Sequence, residues 1–273
     1  MPVIASLDAL RRAVADFQVA DLDLEIDPTA LAEAKRSLEE SGLLLLGEVH
    51  GVRENPLLTR ALMEALHVSG LALEWPADLA PVTSGFLSGG ELPDNALLWS
   101  GDGRITVGHL AVLRERVRIG RLDSLTHFDG LNEVGWARRE SSMAERILAA
   151  DPAPGGTLVV AGNAHTPLTA TTLGRPLGAR LAEKRPGIRE IRIRYGSGKY
   201  YSSMPHEFKR RFGFRHHLRL HDDHGELVLE LPVATEALVP HRLAPATGPM
   251  PRLATGPMPR AATGPINLGK HAR

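Results

Sequence analysis

The sequence of 273 residues contains no cysteine. This excludes disulfide bonds, thiolate metal sites, iron–sulfur clusters and cysteine nucleophiles. Aromatic residues make up only 4% of the chain, so a core must consist mainly of leucine, valine, alanine and isoleucine. Hydrophobic residues still reach 43%, which is enough for a sizeable globular core.

The sequence also lacks an excess of either charge and lacks long apolar runs. The formal net charge is zero, so nothing directs the chain to nucleic acid or to an anionic membrane. No run approaches the roughly 18 apolar residues of a membrane span, and residues 1–10 do not resemble a signal peptide. We therefore expect a cytoplasmic protein that binds no nucleic acid and no membrane and acts on a small molecule or a peptide. The oligomeric state is left open.

Short apolar runs alternate with helical patterns along most of the chain. Strand, helix and strand follow each other within about thirty residues, which is the size of a βαβ unit. The pattern predicts an α/β fold with a mostly parallel sheet, helices on both faces and a small C-terminal β extension. The buried strands are predicted at residues 43–46, 71–73, 122–128 and 157–161, an edge or half-exposed strand at 190–195, and a hairpin from 218–220 and 227–231.

Two further segments have a distinct composition. Residues 81–103 are rich in glycine, serine and proline, and we predict a loop there. Residues 243–273 repeat the sequence Ala-Thr-Gly-Pro-Met-Pro-Arg, and this proline and glycine density predicts a disordered tail. Residues 1–242 are then expected to form a single α/β domain.

Polar side chains follow each of the four buried strands. In parallel α/β sheets, ligands bind outside the carboxyl ends of the strands, so we expect these side chains to form one site. They are Glu48 and His50 after the first strand, Glu74 after the second, Asp129 after the third, and Asn163 and His165 after the fourth.

Glu48 and His50 are two residues apart between Gly47 and Gly51, and in an extended segment both would point to the same side. A carboxylate beside an imidazole raises the imidazole pKa and selects its tautomer, as in acid/base catalysis. The same residue types also bind divalent metals. The pattern leaves both interpretations open.

A helix predicted at residues 132–150 carries Arg139 and, on its apolar stripe, Glu140. A charged residue on a buried helical face is rare unless it is paired. Arg139 is therefore predicted either to anchor a carboxylate or stabilise an oxyanion, or to form an internal pair with Glu140 or Glu74. His109 is a further candidate, which would line the site from a loop.

Several short blocks together resemble the signature blocks of the erythromycin-esterase-like, ChaN-like and Tiki superfamily. The resemblance is centred on a core of about residues 43–195. The blocks are Leu45-Leu46-Gly47-Glu48-Val49-His50-Gly51 with Asn55-Pro56, Leu73-Glu74, Arg139-Glu140 with Met143-Ala144-Glu145, and Ala161-Gly162-Asn163-Ala164-His165.

The resemblance implies a hydrolase that acts on an ester, lactone or amide bond. Erythromycin esterases use the counterparts of His50, Glu74 and His165 around a water, whereas Tiki proteins are metal-dependent peptidases. In this interpretation His50 is the base, Glu48 or Glu74 orients it, His165 is the acid or a second base, and Arg139 stabilises the oxyanion. Asn163, Glu140, Asp129 and His109 would contact the substrate.

The cofactor is left open by the sequence. If the site is metallic, zinc or manganese would be bound by Glu48, His50 and His165. The alternative function is a ChaN-like haem- or metal-binding protein without catalysis, in which His50 or His165 is an axial ligand. Because ChaN-like proteins are lipoproteins and this chain has no cysteine to lipidate, it departs from that group.

Overall fold

A computed structural model describes residues 3–130, 133–150, 152–209, 217–242 and 266–267. The helices are α1 Leu7–Asp16, α2 Pro28–Ser41, α3 Asn55–Ala65, α4 Ala80–Leu87, α5 Val107–Arg118, α6 Trp136–Ala149 and α7 Leu177–Lys184. The strands are β1 Val3–Ile4, β2 Glu25–Ile26, β3 Leu43–Glu48, β4 Gly70–Pro76, β5 Ser124–Asp129, β6 Thr157–Gly162, β7 Arg189–Ser202, β8 Met204–Phe208, β9 Arg219–Asp223, β10 Glu226–Ala234, β11 Val239–Pro240 and β12 Ile266–Asn267.

The fold is α/β with a mostly parallel sheet, as predicted. The strand order is β12-β5-β4-β6-β3-β7-β10-β9-β2, with β8 paired to β7, and β1 pairs separately with β11. The six strands from β5 to β10 in this order run parallel to one another. The chain passes from β3 to β4 over the position that β6 later fills, which places the ends of β3, β6 and β4 side by side.

Alternate residues of the central strands pack on opposite faces, and helices cover both. Leu44 and Leu46 of β3 pack on the face covered by α1 to α5. Leu43 and Leu45 pack on the other face, against α6 and α7. Each of these leucines is almost fully buried and contributes about 2 kcal/mol through removal of apolar surface from water. This double coverage explains why the strands are unbroken apolar runs.

The residues that cap α2 determine where β3 begins. Asp27 caps α2 by accepting hydrogen bonds from the backbone N–H groups of Thr29 and Ala30, and Pro28 fits the first helical position. Gly42 ends the helix in the left-handed region at φ 75°, and its N–H donates to the Leu38 carbonyl. The strand therefore begins at the residue that follows the stop signal.

Three expectations need correction or fall outside the structure. Residues 81–103 are not only loop, because α4 and a short 3₁₀ helix at Ala96–Trp99 lie there. Strand β7 is not an edge strand; it lies between β3 and β10, although its alternating burial was expected. The tail at 243–273 lies outside the described residues except for β12, which pairs antiparallel with β5. Of the described helices, none combines the length and apolar character required to cross a bilayer.

Gly51 is the point where three segments meet below the site. Its N–H donates to the Gly103 carbonyl at 3.0 Å, and its carbonyl accepts from the N–H groups of Tyr201 at 3.1 Å and Ala237 at 2.9 Å. Its φ is +75°, and a Cβ there would lie 1.7 Å from the Tyr201 carbonyl oxygen. Only glycine satisfies both the conformation and this approach.

We predict that Gly51→Ala lowers the free energy of unfolding by more than about 3 kcal/mol, because strain and overlap act together. Gly120→Ala is the matched control: its φ is +66° and nothing lies within 4 Å of the added Cβ. That control should cost only about 1 kcal/mol, from the left-handed backbone alone. Chemical denaturation measures both, and equal losses would contradict the close approach at Gly51.

Candidate active site

The strand order gathers the predicted polar residues at the carboxyl edge of the sheet. Asp129, Glu74 and Glu48 lie at or near the ends of β5, β4 and β3, and Gly162 ends β6 between the last two. The Gly162 N–H donates to Glu74 Oε2 at 2.8 Å. A Cβ at Gly162 would be 2.9 Å from His50 Nε2, so the missing side chain allows His50 to reach Glu74 over the sheet edge.

The backbone before His50 is clamped by two buried polar side chains. The Val49 N–H donates to the Tyr195 hydroxyl at 3.0 Å, and the Val49 carbonyl accepts from Asn55 Nδ2 at 2.9 Å. The Tyr195 hydroxyl donates in turn to Asn55 Oδ1 at 3.0 Å. Burial, together with the nearby Glu48 charge, raises the pKa of Tyr195 well above its ordinary value, so the hydroxyl keeps its proton. These contacts fix the direction in which His50 leaves the strand.

His50 lies between two carboxylates. Its Nδ1 is 3.0 Å from Glu48 Oε1, and its Nε2 is 3.5 Å from Glu74 Oε2. Burial opposes the charged imidazole, but the Glu74 charge and the hydrogen bond with Glu48 outweigh it and raise the pKa of His50 to about 10. This environment favours a protonated His50, hence a proton donor rather than the base predicted from the sequence.

Glu74 is held by positive groups on several sides. Arg139 Nη2 donates to Glu74 Oε1 at 2.8 Å, and Arg104 Nη1 lies 3.7 Å from the same oxygen. Burial raises the carboxyl pKa of Glu74, but the charge and hydrogen bond of His50 and the charge of Arg104 outweigh this and hold the pKa far below its ordinary value. Glu74 is therefore an anion at any physiological pH.

Arg139 forms the internal pair that the sequence named as an alternative to a substrate contact. Besides Glu74, it donates from Nε to Asp129 Oδ1 at 2.9 Å and from Nη2 to Asp129 Oδ2 at 3.1 Å. Asp129 also pairs with Arg104 and is 2% exposed. With both of its oxygens bound in this way, Asp129 organises the guanidinium groups and has no oxygen free for a substrate.

His165 has its own carboxylate partner. Its Nδ1 is 2.7 Å from Glu140 Oε1, and Glu140 Oε2 accepts the Leu177 N–H at 2.7 Å. Glu140 is fully buried, so the prediction that it contacts the substrate is replaced by a contact with His165. The Trp136 ring stacks on the His165 ring at 4.8 Å between centroids and covers one of its faces.

A cavity of about 10 Å³ lies beside His50, which is about the space that one water molecule requires. The charged and imidazole side chains that line it are Glu48, His50, Glu74, Arg104 and His109. Glu48 Oε2 is buried and has no hydrogen-bond partner in the part of the chain that the structure describes, which leaves it able to accept one from a bound water. His109 does line the site, but from the first turn of α5 rather than from a loop. Burial lowers its pKa, which favours the neutral imidazole.

Apart from His109, which lines the cavity, the predicted residues divide into three sets. Those predicted as catalytic do lie together, and they are His50, Glu48, Glu74, His165 and Arg139. Glu140 and Asp129 are buried and contact two of these residues, His165 and Arg139. Asn163 differs, because its Oδ1 lies against Gly47, which alternates with Glu48 and so faces the opposite side of β3.

Sequence reasoning missed the part played by Arg104. Asp102 binds its guanidinium at 2.6 and 2.8 Å, and Arg104 reaches from there to Asp129 and Glu74. Two glycines with positive φ, Gly101 and Gly103, bend the segment that presents it. The spacing Gly-Asp-Gly-Arg was a usable signal, since an acid between two glycines with a base directly after them indicates an ordered turn.

The residues do not match the metal alternative. Among the described residues, no three histidine or acidic side chains are arranged to hold a metal ion, and this includes Glu48, His50 and His165. His50 Nδ1 is already bonded to Glu48, and His165 Nδ1 to Glu140. The Arg139 guanidinium lies 3.4 Å from His165 Nε2, where a cation would have to bind. The donor set therefore favours organic acid/base chemistry over zinc or manganese ligation.

Comparisons with protein-family models, with curated proteins and with solved structures found no match for this chain.

We predict opposite titrations for two histidines of this region. His50 should remain doubly protonated at pH 8 and lose a proton near pH 10, whereas burial lowers the pKa of His127 to about 3 and should keep it neutral at pH 5. Imidazole ¹⁵N chemical shifts, assigned with His50→Gln and His127→Gln, measure both.

The raised pKa of His50 also predicts how the free energy of unfolding changes with pH. Because the folded pKa of His50 is the raised one, its stabilising contribution is complete below about pH 6.5 and is lost as pH rises towards 10. A His50 that titrates near pH 6.5 would contradict the environment described.

Proposed function

We propose that the protein is a hydrolase that cleaves an ester, lactone or amide bond with a water activated by Glu48 and a proton donated by His50. The observation that carries this proposal is the cavity beside His50, which has room for one water and is lined by Glu48, whose buried Oε2 has no hydrogen-bond partner among the described residues.

Glu48 is the proton acceptor in this scheme. Its Oε1 is bonded to His50 Nδ1, which leaves Oε2 to bind the water. As the water oxygen bonds to the carbonyl carbon of the substrate, its proton passes to Oε2. Proton transfer to a positioned side chain contributes about 10²- to 10⁴-fold to a rate.

His50 serves the other half of the reaction. A protonated imidazole stabilises the negative charge that develops on the carbonyl oxygen and then donates its proton to the leaving oxygen or nitrogen as that bond breaks. Its side chain is 21% exposed, so a substrate can approach it from solvent. The proton that His50 gives up is the one on Nε2, because Nδ1–H stays bonded to Glu48 Oε1. After the reaction Glu48 Oε2 releases its proton to solvent and His50 Nε2 takes one from solvent, which restores the starting state.

Buried charged side chains next to His50 keep its imidazole protonated. Glu74 stabilises the cation on His50, while Arg139 and Arg104 stabilise Glu74. Arg139 is therefore assigned to holding Glu74 instead of the oxyanion. The haem alternative gains no support here, because an axial ligand needs a free ring nitrogen and carboxylates lie against both ring nitrogens of His50.

We predict that Glu48→Gln and His50→Gln each lower kcat by about 10²-fold or more on a hydrolysable substrate. A panel of nitrophenyl esters, lactones and peptide amides identifies that substrate. Control variants come from His221 and Glu230, an ion pair of 3.6 Å on β9 and β10, where His221→Gln and Glu230→Gln should leave kcat unchanged.

Turnover that survives both site substitutions, or no turnover of any panel member, would count against the hydrolase. Haem titration of the same proteins tests the alternative. A Soret band that is lost in His50→Ala and His165→Ala would favour haem binding.

A further inference from the structure

The second imidazole, His165, lies in an environment different from that of His50. His50 has a carboxylate at each ring nitrogen, whereas His165 has Glu140 at Nδ1 and both a cation and an anion near Nε2. Arg139 Nη1 is 3.4 Å from Nε2, and Glu74 Oε1 is 3.5 Å from it. Both oxygens of Glu74 already accept a hydrogen bond at 2.8 Å, one from Arg139 and one from the Gly162 N–H.

A guanidinium group has hydrogen-bond donors only and stays charged in proteins. A hydrogen bond from Arg139 to His165 Nε2 therefore requires a lone pair on Nε2. On the other side of the ring, an ionised Glu140 has hydrogen-bond acceptors only, so it requires a proton on Nδ1. The two neighbours select the same neutral tautomer.

We infer that Glu140 is a positioning residue that holds His165 as its Nδ1–H tautomer, so that Nε2 is presented to the site as a second proton acceptor. This inference rests on the proposed function for its role in catalysis, but not for the tautomer itself. It gives the two imidazoles different tasks: His50 donates a proton, and His165 can take one, for example from the acid that hydrolysis releases.

The second hydrogen bond of Glu140, from Leu177, fixes how a glutamine would be oriented at this position. Glu140 Oε2 accepts the Leu177 N–H at 2.7 Å, and this backbone group can only donate. In Glu140→Gln the side-chain oxygen must therefore face Leu177, which leaves the NH₂ group facing His165 Nδ1. An NH₂ donor there requires a lone pair on Nδ1, so the ring proton must move to Nε2.

We predict that imidazole ¹⁵N shifts of wild-type protein at pH 8 show His165 as the neutral Nδ1–H form, and that Glu140→Gln shows the Nε2–H form. The matched control is Glu190→Gln. Glu190 bonds the neighbouring Thr166 hydroxyl at 2.7 Å and does not touch His165, so this variant should keep the wild-type tautomer.

The measurement needs no substrate, so its failure is distinct from failure of the hydrolase proposal. A wild-type His165 that carries a proton on Nε2, or a tautomer unchanged in Glu140→Gln, would overturn the inference, and the wild-type spectrum decides even if the variant does not fold. If a substrate is known, kcat of Glu140→Gln should fall by about 10²-fold or more, as expected for a base in the wrong tautomer, while that of Glu190→Gln does not.

Discussion

The buried charge of Glu74 is the constraint on which the rest of the site depends. Removing a carboxylate from water costs several kcal/mol unless its oxygens are paired and hydrogen-bonded. Here a backbone N–H, a guanidinium group and an imidazole all meet the same carboxylate. Gly162 makes this convergence feasible, because any side chain on it would occupy the space that His50 needs.

The charged groups that offset the burial of Glu74 are themselves paired with further charged groups. Arg139 and Arg104 would themselves be costly to bury, and Asp129 offsets both of them. Asp102 then fixes Arg104 from the solvent side. The result is a rigid set of charges in which the two imidazoles experience different fields, and different fields are how one site holds both a proton donor and a proton acceptor.

The sequence allowed much of this to be predicted. Four leucines between two glycines at residues 43–46 favoured a strand buried on both faces, although periodicity alone did not distinguish it from a short helical segment. Polar residues directly after such strands had to meet at one sheet edge, which located His50, Glu74 and His165. Glu140 could be recognised as a paired buried charge from its place on an apolar helical stripe, but its partner could not, because a helical pattern does not say which loop packs above it.

Residue types, periodicity and stop signals along the chain therefore determined the α/β class, the buried strands and the membership of the site. Only the tertiary structure decided what each member does. Proton positions depend on distances of about 3 Å between side chains that are far apart in the sequence, as in the 3.4 Å and 2.7 Å contacts of His165 and the 3.5 Å contact of His50 with Glu74. Electrostatic energies at such distances change steeply in a buried, low-dielectric site, and no linear pattern specifies them.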